Sequence, residues 1–146
     1  MVLELIALLC TGLFAGAAVY VTLVEHPARL ECGPAVALAE FRRSYRRAAA
    51  MQASLAAIGS LAAVGAWALG RGVPVLVTGL LLGAMIPFTL LVVLPTNKRL
   101  LDPALDPRSA EAASLLTRWG RLHAVRSGAS AVAFVLLALD LAGALR

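Results

Sequence analysis

Apolar residues fill four long runs of this chain, at about residues 2–24, 48–69, 73–95 and 124–145, and polar side chains gather mostly between them. A helix crosses the hydrocarbon core of a bilayer in about 20 residues, so each run has the length of one crossing. The pattern predicts an all-α fold, a four-transmembrane-helix bundle forming a single membrane domain over residues 1–146. Successive crossings alternate in direction. The end of the first, the end of the third and the start of the fourth therefore share one face.

Helix punctuation lengthens two of these elements. Gly33-Pro34 opens an uninterrupted stretch over residues 35–69, and Asp106-Pro107 offers an N-cap with Pro at the first helical position before another such stretch. Helices 2 and 4 are thus expected to extend into the cytoplasm, by on the order of 20 Å at 1.5 Å per residue. They would wall a polar mouth capped by the segments near residues 25–33 and 96–106. Pro27 should end or kink the first helix, Pro87 should kink the third above Thr89, and Pro95-Thr96-Asn97 should terminate it. Gly12-x3-Gly16 and Gly79-x3-Gly83 let helix backbones approach closely, within the bundle or in a homo-oligomer.

Composition agrees with the bilayer as solvent: 61% of residues are hydrophobic and 14% charged, beyond what a soluble domain shows. No Lys or Arg precedes the first run, so despite Ala15-Gly16-Ala17 it reads as a retained span rather than a secretory signal. Eleven basic residues fall in or beside the first and third connections, against Arg71 and Arg146 for the other face. The positive-inside bias puts both termini outside and the polar mouth on the cytoplasmic side of the cytoplasmic membrane. The +5 net charge is then explained by membrane lipids, Arg42-Arg43-x2-Arg46-Arg47 being a headgroup-facing cluster, and nucleic acid is not indicated. Glu4 and Asp140 are expected to be solvated near the outer face. Cys10 and Cys32 form no CxxC pair, which argues against thiol exchange. The mid-span residues are mostly Ala, Leu, Val and Gly, which disfavours a solute path.

The chemically capable residues converge on the mouth. Glu25-His26-Pro27 ends the first run, Asn97 and Lys98 follow the third, and Trp119, His123 and Arg126 stack at i, i+4 and i+7 on the fourth helix. An aromatic, an imidazole and a guanidinium on one face suit a flat, acidic, mostly apolar ligand. Ionisable groups this close to hydrocarbon need pairing or a wet cavity. Glu25 can pair with Arg29 four residues on, or with Arg126.

Glu25-His26-Pro27-Ala28-Arg29, Leu94-Pro95-Thr96-Asn97-Lys98-Arg99-Leu100 and Trp119-x3-His123-x2-Arg126-Ser127 resemble, in order and over nearly the full length, the motifs of the DUF1772 family. These are small four-helix membrane proteins that include the anthrone oxygenases of aromatic polyketide pathways. The resemblance implies a small apolar aromatic or enolisable substrate and dioxygen. With no organic cofactor, such a reaction needs a base, a cation for the enolate and a dry slot. His26 or His123 would be the base, with an ordinary imidazole pKa near 6.5. Arg126 or Lys98 would stabilise the oxyanion, Glu25 would orient a histidine or balance Arg126, and Trp119 and Tyr45 would stack on the rings. A second reading places one copper or iron ion on His26, His123 and Glu25, with Asn97 nearby, although no HxxH or ExxH spacing supports it. A third makes the chain a non-enzymatic membrane binding or assembly protein. If His26 and His123 belong to one site, they must approach each other at the mouth.

Overall fold

The computed structural model describes residues 1–143. The last three residues lie outside them, and with them the expected end of the fourth run at Leu145 and the basic residue Arg146. The described chain is four helices: α1 Val2–Glu31, α2 Pro34–Ala68, α3 Val73–Leu101 and α4 Ala110–Leu141. All four are long and apolar enough to cross a membrane. They form a ring in which α1 packs on α2 and α4, and α3 packs on α2 and α4, while α1 and α3 barely touch and α2 and α4 meet through longer side chains.

Short turns force this antiparallel order. Cys32 and Gly33, the latter at φ +86°, reverse the chain between α1 and α2, and Pro34 starts the next helix where a missing N–H costs nothing. Gly70, at φ +95°, does the same between α2 and α3. Ser109 rather than Asp106 caps α4: its hydroxyl accepts from Ala112 N at 3.1 Å and donates to the Asp106 carbonyl at 2.8 Å. Asp106 instead accepts from Arg108 N within the loop.

The prolines act differently from expectation. Neither Pro27 nor Pro95 ends its helix; α1 runs on to Glu31 and α3 to Leu101. A proline ring collides with the carbonyl four residues earlier and donates no hydrogen bond. Here each helix widens into one π-helical turn that contains that carbonyl, Val21–Glu25 before Pro27 and Thr89–Val93 before Pro95. Pro87, expected to kink α3 above Thr89, lies within α-helical geometry that runs to Phe88, and the π-helical turn begins at Thr89. All four helices, not only α2 and α4, therefore wall the polar half of the ring.

The other half closes tightly on small residues. Ala7, Ala62, Ala63, Ala66, Val75 and Leu137 form its core. A Cβ on Gly83 would lie 2.6 Å from Ser60 Oγ, and the Ser60 hydroxyl donates to the Gly79 carbonyl at 2.7 Å, so this glycine pair seats α3 on α2. Glu4 and Asp140 are buried at this end rather than solvated. Glu4 is ion-paired to the N-terminal ammonium and to Arg71.

Candidate functional site

A cavity of about 600 Å³ occupies the half of the ring that holds the α1–α2 turn and the α3–α4 loop. Apolar side chains such as Phe14, Phe41 and Met85 make most of its wall. Polar groups reach it from every helix: Glu25 and Arg29 on α1, Tyr45 and Gln52 on α2, Asn97 on α3, His123 and Arg126 on α4. Such a space, apolar with a few convergent polar groups, is the usual form of a small-molecule site.

The i, i+4, i+7 spacing on α4 delivers Trp119, His123 and Arg126 to the cavity as expected. The Trp119 indole stacks on the His123 ring at 4.7 Å and 28°, and meets the Phe41 ring edge-on at 5.4 Å. Its other neighbour is His26, whose ring centroid is 5.0 Å away. Both imidazoles thus pack near one indole, and their separation cannot exceed the sum of those two centroid distances. His26, however, is buried against Trp119 and α4 and does not line the cavity. A Cβ on Gly120 would lie 2.5 Å from His26 Nε2, so only glycine at this position admits the ring. Of the two histidines expected as alternative bases, His123 lines the cavity and His26 does not.

Glu25 is committed to Arg29, with which it is hydrogen-bonded and ion-paired. Arg29 is also held by Glu40 at 2.9 Å, and its guanidinium lies 5.8 Å from the Trp119 ring centre. Glu25 is therefore not available to orient His26 or His123, or to balance Arg126. Among the described residues, no three His, Cys, Asp or Glu side chains converge on a point that could hold a metal ion. His26, His123 and Glu25 do not make the expected ligand set among the described residues, and Arg29 takes the carboxylate.

Arg126 is the unusual charge. Its Nη2 donates to Gln52 Oε1 at 2.6 Å and its guanidinium carbon lies 5.4 Å from the centre of the Phe14 ring. Its Nε is buried without a hydrogen-bond partner, and among the described residues no carboxylate lies within ion-pair distance. A guanidinium held in apolar surroundings by a neutral amide is electrostatically unfinished. Asn97 donates to the Tyr45 hydroxyl at 3.3 Å, which leaves its buried Oδ1 unpartnered beside the same cavity. Lys98, expected among the substrate-binding residues, is exposed and lies outside the lining.

Thr22, Gln52, Ser127 and Gly120 carry this geometry and were not singled out from the sequence for it. Gln52 is detectable as an amide inside an otherwise apolar run, and Ser127 as the last residue of the α4 motif. Thr22 and Gly120 leave no such signal, since each depends on which helix lies opposite.

A family model described as "Anthrone oxygenase" matches residues 41–136, which include Tyr45, Gln52, Asn97, Trp119, His123 and Arg126. Anthrone oxygenase tpcL of Aspergillus fumigatus is 43% identical over 61 residues, 40% of this chain and 38% of that protein. The aligned region thus spans well under half the length of that curated relative. No solved structure matches the chain significantly.

Proposed function

The chain belongs to the anthrone oxygenase family, the DUF1772 family its motifs resemble, and from that premise we propose that it oxidises an apolar, enolisable aromatic substrate with dioxygen in the half-ring cavity. The observation that carries the reading is Arg126, a guanidinium with no carboxylate partner among the described residues, facing an apolar cavity next to His123. An enolate is the anion such a site lacks.

In an anthrone-type substrate the methylene between two aryl rings is acidic. Its proton passes to the His123 imidazole, and the enolate oxygen lies against Arg126, whose fixed charge stabilises it more than the neutral ketone. The enolate gives one electron to dioxygen. The resulting radicals combine at carbon to a hydroperoxide, and loss of water leaves a carbonyl. Two C–H bonds are replaced by one C=O, dioxygen takes four electrons, and its two oxygen atoms end in product and water. Trp119 and Tyr45 supply aromatic faces, and the apolar wall excludes bulk water from the enolate. Among the described residues no ligand set for a metal converges, and the proton and charge are handled by His123 and Arg126.

Access fits an apolar substrate held in lipid. Tyr20, Met51 and Leu90 line the cavity and are also exposed on the outer surface of the ring. The basic residues beside the first and third connections support a cytoplasmic position for this half.

The test is oxygen uptake and quinone absorbance with the protein in nanodiscs and an anthrone as substrate. Equimolar oxygen consumption and quinone formation, lost in Arg126→Gln, is the expected result. Folded wild-type protein that consumes no oxygen above the empty-nanodisc rate would overturn the reading and return the chain to a binding or assembly role.

A further inference from the structure

The π-helical turn of α1 sets Thr22 against α4, and the contacts it makes there fix where protons sit. Thr22 Oγ1 lies 3.0 Å from His123 Nδ1 and 2.7 Å from Ser127 Oγ. Ser127 Oγ lies 2.8 Å from the Ala18 carbonyl oxygen. These three contacts need three hydrogens. A carbonyl only accepts, so the single hydroxyl hydrogen of Ser127 goes to Ala18. The Thr22–Ser127 contact then uses the hydrogen of Thr22. The remaining contact has a hydrogen only if the imidazole supplies it. With Nδ1 bare, two hydroxyl hydrogens would have to serve three contacts, and one pair of buried oxygen or nitrogen lone pairs would face each other. The longer approaches of Ser127 Oγ, 3.1 Å to the His123 carbonyl and 3.5 Å to His123 Nδ1, change nothing, because the carbonyl only accepts and the hydroxyl hydrogen of Ser127 is already given to Ala18, so the second again has a hydrogen only from the imidazole.

We propose that Thr22 and Ser127 are positioning residues that hold His123 as the Nδ1–H tautomer through the chain His123 Nδ1–H to Thr22 to Ser127 to the Ala18 carbonyl. The Nε2 lone pair is thereby left for the cavity, where it can accept the substrate proton. This deepens the proposed oxidation and rests on it for the identity of the proton. The logic is that of other catalytic histidines, whose second nitrogen is pinned by a hydrogen-bond partner so that the reacting nitrogen is in the required state. It also gives the widened turn a purpose: displaced helical register brings a hydroxyl from α1 to a ring on α4.

The experiment uses the full chain in nanodiscs with ring-15N histidine, read by long-range proton–nitrogen correlation. The sequence has two histidines, so His26→Asn, or His123→Asn if the first does not fold, assigns the signals. The expected result is a protonated Nδ1 and an unprotonated Nε2 on His123. In Thr22→Val/Ser127→Ala, or Thr22→Val alone if the pair does not fold, the ring should move toward the Nε2–H form. The kcat for anthrone oxidation should then fall about 10- to 100-fold with KM little changed, and Thr22→Ser should keep the wild-type values. His123 found as Nε2–H in the wild type, or turnover unaltered after the tautomer has switched, would overturn the proposal. A wild type that shows Nδ1–H but oxidises no anthrone would sink the oxidation while upholding the proton arrangement.

Discussion

Glu4, buried, and Arg126, half-buried, are charges in opposite halves of the ring, and their surroundings differ in kind. Glu4 is met by two cations, the N-terminal ammonium and Arg71, in a core of alanine, valine and leucine with glycines seating one helix on the next. Arg126 meets an amide and a phenyl ring at the edge of a cavity of about 600 Å³. One half pairs Glu4 with its own cations and closes. The other leaves a cation, an amide oxygen and an imidazole nitrogen facing a space. The tightly packed core and the cavity are thus separated along the helix axes, so variants in each test whether the halves act alone.

The largest expected effect comes from the open half. Arg126→Gln keeps a hydrogen-bonding side chain but removes the charge, so turnover of an anthrone should fall about 10²- to 10³-fold, the usual worth of one oxyanion-stabilising group. Melting temperature should hold or rise, because an uncompensated charge has gone. A variant that loses fold and activity together would erase the distinction between the halves.

Next come two glycines tested as a pair. Gly120→Val pushes into the His26 ring and, through it, Trp119, whereas Gly83→Val pushes into Ser60. Each should cost about 1–3 kcal/mol of stability, the price of overpacking. Only Gly120→Val should also lower turnover per folded molecule, by several-fold, with a changed tryptophan emission spectrum. Equal effects on turnover would mean that the Trp119 wall does not depend on His26.

Glu4→Gln should act on the closed half alone. Thermal unfolding should occur at lower temperature, because Arg71 and the N-terminus lose their shared partner, while kcat and KM stay at wild-type values. A change in KM would show that the two halves communicate.

The fold was largely readable because hydrophobic run length is a direct consequence of the bilayer, and the stacking of Trp119, His123 and Arg126 follows from helical periodicity. What could not be read required knowledge of partners. Pro27 and Pro95 look like helix ends, yet a π turn lets a helix pass a proline when its next residues, such as Asn97, have somewhere to pack. His26 looks equivalent to His123 until its ring is seen packed against Gly120, outside the cavity lining. Glu25 had two basic candidates, and the neighbour one helical turn away won because Arg126 lies on another helix and is engaged by Gln52.

The smallest expected effect is the sharpest check on that reading. Lys98 follows Asn97 directly and belongs to the same motif, so sequence alone makes it as good an oxyanion partner as Arg126. In the structure Asn97 is buried at the cavity while Lys98 is exposed, because adjacent helical residues point about 100° apart. Lys98→Ala should therefore change stability by no more than about 0.5 kcal/mol and leave kcat/KM for an anthrone unchanged. A tenfold fall would mean that the cation facing the enolate comes from α3, that the end of α3 turns inward when substrate binds, and that the unpaired state of Arg126 serves packing rather than chemistry.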